Sequence, residues 1–265
     1  TIALKILSKK KTSSDAVQRF KREFRLLAGL QHPNLCSVYD FGMLKDGRSY
    51  FTMEYIDGPN IFEFTKNPVR KNISNGVYPL IVQLCRVLEY IHSKGLIHYD
   101  IKPGNVLIAE GNKKQHAQGP SLHAKLLDFG LAKEQQIKGG TLIRGTFPYI
   151  APEVIKGLAV DYRADLYSLG VVLYEIFTRK TFPKAKESFV TLLKLMQDRM
   201  YESPSKIVTD IPKRLEKLIM RLLEFEPAGR FNRANEVIKE INKFNPTKFE
   251  IETEKTLESY LLSSR

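Results

Sequence analysis

The sequence predicts an α+β fold in two unequal parts, a small β-rich N-terminal part and a larger, mainly helical one. Two observations carry this. The first fifth of the chain reads strand, helix, strand, strand, and beyond Gly58-Pro59 the apolar residues recur with helical period in one segment after another. The 265 residues are 43% hydrophobic, enough to bury a core and too apolar for a disordered chain.

Residues 1–7 (Thr-Ile-Ala-Leu-Lys-Ile-Leu) are β-rich and read as a strand entered midway. No initiator Met or signal-peptide pattern precedes them, so the expectation is a fragment of a longer protein. Over 15–30, Val17, Phe20, Phe24, Leu27 and Leu30 fall on one helical face, with Ser13, Ser14 or Asp15 available as N-cap. Strands are expected over 35–43 and 48–55, joined by the turn Lys45-Asp46-Gly47. A hinge is expected over 54–59.

Past the hinge, 75–93 forms a helical pattern through Tyr78, Ile81, Val82, Cys85, Leu88 and Ile91, closed by Gly95. Short strands and loops follow from 96 to 152, and helices over 164–178, 187–200, 211–224 and 233–244. The polar stretch 109–123 reads as an extended hairpin loop; His116 and His123 within it are too scattered to signal a metal. There is no internal repeat.

Composition excludes several classes. The longest apolar run, near Leu169 to Phe177, is far too short to span a bilayer. Cys36 and Cys85 lack metal-ligand spacing and read as buried free thiols, which suits a reducing cytoplasm. The formal net charge of +13 is spread along the chain with only short clusters such as Lys9-Lys10-Lys11. That favours a solvated surface with attraction for phosphate-rich or acidic ligands over a nucleic-acid binder.

The segment Ile97-His98-Tyr99-Asp100-Ile101-Lys102-Pro103-Gly104-Asn105 packs a carboxylate, a lysine and a carboxamide into one loop. A carboxylate accepts a hydroxyl proton, a lysine neutralises a phosphoryl group, and an amide oxygen ligates Mg²⁺. Asp128-Phe129-Gly130 follows the apolar run Lys125-Leu126-Leu127, where a carboxylate at a strand end can hold a metal. Third comes Gly145-Thr146-Phe147-Pro148-Tyr149-Ile150-Ala151-Pro152-Glu153, followed by Asp165-Leu166-Tyr167-Ser168-Leu169-Gly170 on a helix.

In this order and spacing, these segments resemble the protein kinases over roughly 1–241. The resemblance implies a bilobal fold with a partial N-lobe over 1–57, a C-lobe over 58–241 and a linker or tail over 242–265. It implies ATP and Mg²⁺ as cofactors and a protein substrate. Ala3-Leu4-Lys5 then matches the strand whose lysine holds the nucleotide phosphates, and Glu23 would be the helix carboxylate paired with Lys5. Met53 would be the gatekeeper, with Glu54, Tyr55 and Ile56 as the adenine-facing hinge. Ala3 and Leu107 would sandwich the adenine ring, although each apolar residue could equally be plain core. Asp100 would be the base, Lys102 would steady the γ-phosphate, and Asn105 and Asp128 would hold the metal. Glu153 and Arg230 would form a buried pair. Lys102 and Thr146 resemble the serine/threonine subgroup.

Two departures matter. Tyr99 replaces the arginine that usually meets a phosphorylated activation loop, so Thr141 is not expected to be an obligatory activating site. Only four residues precede Lys5, so the parent protein is expected to be active and this chain alone to bind ATP weakly. The wording of the tail, including Phe249 to Thr253, resembles bacterial kinases fused to an ATPase and sensor region. The competing classes are a pseudokinase, a small-molecule kinase of the aminoglycoside-phosphotransferase kind and, last, a nucleic-acid binder. All six catalytic residues expected beyond a glycine loop are present, and the Gly-Thr to Ala-Pro-Glu segment is intact.

Overall fold

The computed structural model describes residues 1–8, 13–66, 73–110, 122–129, 134–136, 142–182 and 189–245. Its N-terminal part is a three-stranded antiparallel sheet of β1 (Ile2–Ile6), β2 (Val38–Met43) and β3 (Ser49–Glu54), ordered β1-β3-β2. The central strand β3 is the apolar one, and Phe51 is fully buried. Helix α1 (Ser14–Ala28) lies on the sheet through Phe20 and Phe24, whose rings sit 4.9 to 6.0 Å from those of Phe41 and Phe51. Of the three candidate N-caps, Ser13 is the one used, and its side chain accepts from Ala16 N.

The strand expected over 35–43 starts later, at Val38. Leu35 and Cys36 are apolar because they pack against the helical part. Leu35 bridges Leu126, Leu126 N donates to Asn34 O, and Cys36 N donates to Leu126 O. That segment therefore stitches the two parts together.

The chain crosses after β3 into α2 (Ile61–Lys66), which Asn60 caps by accepting from Phe62 N and Glu63 N. Gly58 is required at the crossing, since a Cβ there would lie 1.9 Å from Ile108 O. Helix α3 (Ile73–Ser93) leads to the loop 94–102, a 3-10 turn at Pro103–Asn105, and the hairpin of β4 (Val106–Glu110) and β5 (Leu122–Leu126). The loop expected over 109–123 is thus shorter: Ala109, Glu110, Leu122 and His123 pair as strand, while 111–121, with His116, lie outside the described residues. The short strands β6 (Glu134–Gln136) and β7 (Leu142–Arg144) also pair. Gly130, Thr141 and 246–265 are likewise outside the described residues.

The helical part contains α4 (Pro152–Ile155), α5 (Arg163–Thr178), α6 (Phe189–Gln197), α7 (Pro204–Ile207), α8 (Lys213–Leu222) and α9 (Ala234–Asn242). Helix α5 is buried along almost its whole length, with α2, α7 and α8 packed against it. Gly170 lets α8 approach, because a Cβ there would lie 2.7 Å from Leu222 Cβ. Arg230, 1% exposed, grips Glu153 through two bonds of 2.7 and 2.8 Å, as expected from sequence. Cys36 and Cys85 are buried and free. Among the described residues no helix is long and apolar enough to cross a membrane.

Candidate active site

The loop after α3 is held from below. Asp165, buried in the first turn of α5, accepts from His98 N at 2.8 Å and Tyr99 N at 2.9 Å, and also meets His92 Nε2 at 2.8 Å. The fully buried His98 ring reaches Leu127 O through Nε2 at 2.8 Å, while Nδ1 accepts from Asp100 N at 3.3 Å. This fixes the proton on Nε2. Burial pushes the imidazole pKa down, so the ring is neutral. Its face packs 4.6 Å from Phe129 and thereby locks the loop to the segment after β5. Tyr99 adopts a left-handed backbone with φ 66°, and Gly145 makes room for its carbonyl: a Cβ there would lie 2.8 Å from Tyr99 O.

Above this support stands Asp100, 1% exposed. Lys102 Nζ approaches its oxygens at 2.9 and 3.2 Å, and Asn105 Nδ2 donates to its Oδ2 at 2.8 Å. The Thr146 hydroxyl donates to Asp100 Oδ1 and accepts from Lys102 Nζ. Asn105 Nδ2 also reaches Asp128 O at 3.5 Å. With its nitrogen committed to Asp100, the Asn105 amide keeps its oxygen as an acceptor. Asp128 lies two residues past β5 with its side chain 30% exposed. Lys5 Nζ, from β1, ties it to the N-terminal part: 2.7 Å to Asp128 Oδ1 and 2.8 Å to the fully buried Glu23.

The structure therefore brings Glu23, Lys5 and Asp128 together in one bridge and Asp100, Lys102, Asn105 and Thr146 in one cluster, the two meeting where Asn105 Nδ2 approaches the Asp128 carbonyl oxygen. Its donor set suits Mg²⁺. One carboxylate and one amide oxygen fit an ion that keeps several water or phosphate ligands, and no cluster of three or more His, Cys, Asp or Glu ligands occurs among the described residues.

The expected adenine residues are placed more loosely. Ala3 pairs with Met53 across the sheet, and both are half-buried. Ile56 is 9% exposed, and Leu107 bridges Asn60 just past the hinge. The Glu54 side chain is engaged by Lys125 at 2.8 Å and by Ser37 N at 3.3 Å, leaving its backbone as the part available to a ligand. Burial, with Glu54 adding to it, pushes the Cys36 thiol up to about 12, so no thiolate stands beside the hinge.

Sequence reasoning missed the part played by Asp165, Glu54 and Lys125. Asp165 stood in the sequence only as the first residue of the helical segment Asp165 to Gly170, and nothing local pointed to the loop amides that it holds. Glu54 and Lys125 lie 71 residues apart, and nothing local marks them as a pair.

A family profile described as protein kinase domain matches residues 1–242. A probable serine/threonine-protein kinase of Clostridium perfringens is 35% identical over 251 residues, covering 91% of this chain and 34% of that protein. Serine/threonine-protein kinase PknA of Mycobacterium tuberculosis is 34% identical, covering 87% of this chain and 52% of that protein. The chain thus spans a third to a half of the length of these curated relatives. The crystal structure of the M. tuberculosis PknI kinase domain superimposes with a TM-score of 0.65 at 26% identity, covering 91% of this chain and 85% of that one.

Proposed function

The chain belongs to the protein kinase domain family, and from that premise we propose that it transfers the γ-phosphate of ATP to a serine or threonine hydroxyl of a protein substrate. The observation that carries this reading is that the Glu23–Lys5–Asp128 bridge and the cluster of Asp100, Lys102 and Asn105 lie side by side, Asn105 Nδ2 coming within 3.5 Å of the Asp128 carbonyl oxygen. Phosphoryl transfer requires little covalent chemistry of the protein. It requires charges fixed in place before the substrate arrives.

Each residue then has a task. Glu23 is fully buried, and it holds the Lys5 ammonium where it can bind the α- and β-phosphates. Asp100 orients the acceptor hydroxyl and takes its proton. Lys102, already on Asp100 and Thr146, neutralises charge on the transferring group, and Thr146 closes the acceptor side. Asn105 and Asp128 would hold Mg²⁺, which when bound neutralises the phosphate oxygens. Ala3, Met53, Ile56 and Leu107, with the Glu54 backbone, would receive the adenine. A cytoplasmic location belongs to the same proposal, supported by the two free thiols. So does a linked ATPase or sensor region in the parent protein, supported by the sequence resemblance alone.

The test is transfer of labelled phosphate from Mg-ATP to a generic basic protein, followed by identification of the phosphorylated amino acid. Phosphoserine or phosphothreonine, abolished by Asp100→Asn in the full-length protein, is expected. Transfer that survives Asp100→Asn, or that appears on a small molecule instead, contradicts the reading.

A further inference from the structure

The outer face of α1 has no part in the site just described. Arg19, Arg22 and Arg25 stand there at three-residue intervals and, with Gln18, line a surface cavity of about 330 Å³. Arg22 and Arg25 are exposed and Arg19 is half-buried. The spacing places successive guanidiniums about 4.5 Å apart along the helix axis. Like charges at this interval destabilise a helix unless a counter-charge relieves them. The acids of α1 are otherwise placed: Asp15 is in the first turn, and Glu23 is buried against Lys5. Among the described residues, none of the three arginines forms an ion pair.

We propose that this arginine face docks a phosphorylated segment of a partner protein, with a phosphoserine or phosphothreonine seated between the guanidiniums. The charge and geometry favour that occupant. Guanidinium forks bind phosphate oxygens in pairs, which a lysine surface cannot do. A phosphomonoester brings close to two negative charges to a single point, matching a cluster that among the described residues spans two helical turns. An extended nucleic acid requires a longer basic track than the described lining of this cavity supplies. The face lies on the same helix that supplies Glu23 to Lys5. The docking itself does not depend on the transfer activity.

The test is fluorescence anisotropy with the 265-residue chain and a dye-labelled phosphothreonine peptide, run beside its unphosphorylated form and a single-stranded oligonucleotide competitor. The phosphopeptide is expected to bind at least about tenfold tighter than its unphosphorylated form, and Arg22→Ala or Arg25→Ala to weaken it by about tenfold. Lys213→Ala/Lys217→Ala, which removes two exposed cations from α8, is expected to leave binding unchanged. Thermal melts establish that every variant is folded. Equal binding of the two peptides overturns the proposal, as does equal loss in the α8 variant. Displacement by the oligonucleotide at a lower concentration than by unlabelled phosphopeptide overturns it too.

Discussion

Replacing Arg230 by methionine removes the cation from a deeply buried ion pair of the helical part. Arg230 is 1% exposed and makes five hydrogen bonds: two to the Glu153 carboxylate and one each to the carbonyls of Glu224, Phe225 and Arg163. Its guanidinium also stacks 4.9 Å from the Tyr167 ring. Methionine fills much of the space yet leaves a carboxylate, itself 4% exposed, without a counter-charge. Stranding one partner of such a pair costs about 3–5 kcal/mol. Three carbonyls losing their donor push the cost toward the upper end of that range. For a domain of this size the melting temperature should fall by about 6–20 °C. Urea denaturation of wild type, Arg230→Met, Glu153→Gln and the double variant is the assay. Removing the stranded charge should restore part of the loss, so the double variant should be more stable than the sum of the singles predicts, by about 1–3 kcal/mol. A loss below about 1 kcal/mol for Arg230→Met, or strict additivity, would refute the reasoning.

Gly58→Ala drives a methyl into the Ile108 carbonyl, which is fixed backbone. Overpacking of this kind costs about 1–3 kcal/mol or more, and an unchanged thermal melt would count against the crossing geometry. His32 gives a pH dependence. Burial, reinforced by Arg86 and Lys125, lowers its pKa from 6.5 to about 4, so the folded imidazole stays neutral where the unfolded one is protonated. Its stabilisation is therefore complete above pH 6.5 and is lost as pH falls toward 4, by at most about 1.4 kcal/mol per pH unit. His32→Gln should flatten the fall measured by urea denaturation at a series of pH values; His98 acts in the same direction and keeps the remainder. An identical slope in the variant would exclude His32 as a source.

The sequence made the long elements legible because their apolar residues repeat often enough to fix a period. α1, α3 and α5 lie within two residues of their expected bounds. The six residues of α2 span too few turns to show a period, and Asn60 as its cap was the only local sign. Segment 35–37 looked like strand for a sound reason, since its apolar residues are buried, but their partner is β5 and not the N-terminal sheet. The site was legible where chemistry is packed into one loop, as in Asp100 to Asn105. It was illegible where it depends on a distant support, as with Asp165 beneath the loop or Lys125 on Glu54. Such pairs follow from tertiary packing and leave no trace in local spacing.

The most direct measurement is the magnesium dependence of ATP binding by the full-length protein, followed by titration calorimetry with Mg²⁺ and with EDTA. If Asp128 and Asn105 hold the metal as proposed, magnesium should strengthen binding in the wild type. That gain should vanish in Asp128→Asn, while Glu54→Gln, which alters only the side chain held by Lys125, should retain it. A full magnesium gain in Asp128→Asn would mean that the linked residues do not converge on a metal-nucleotide site.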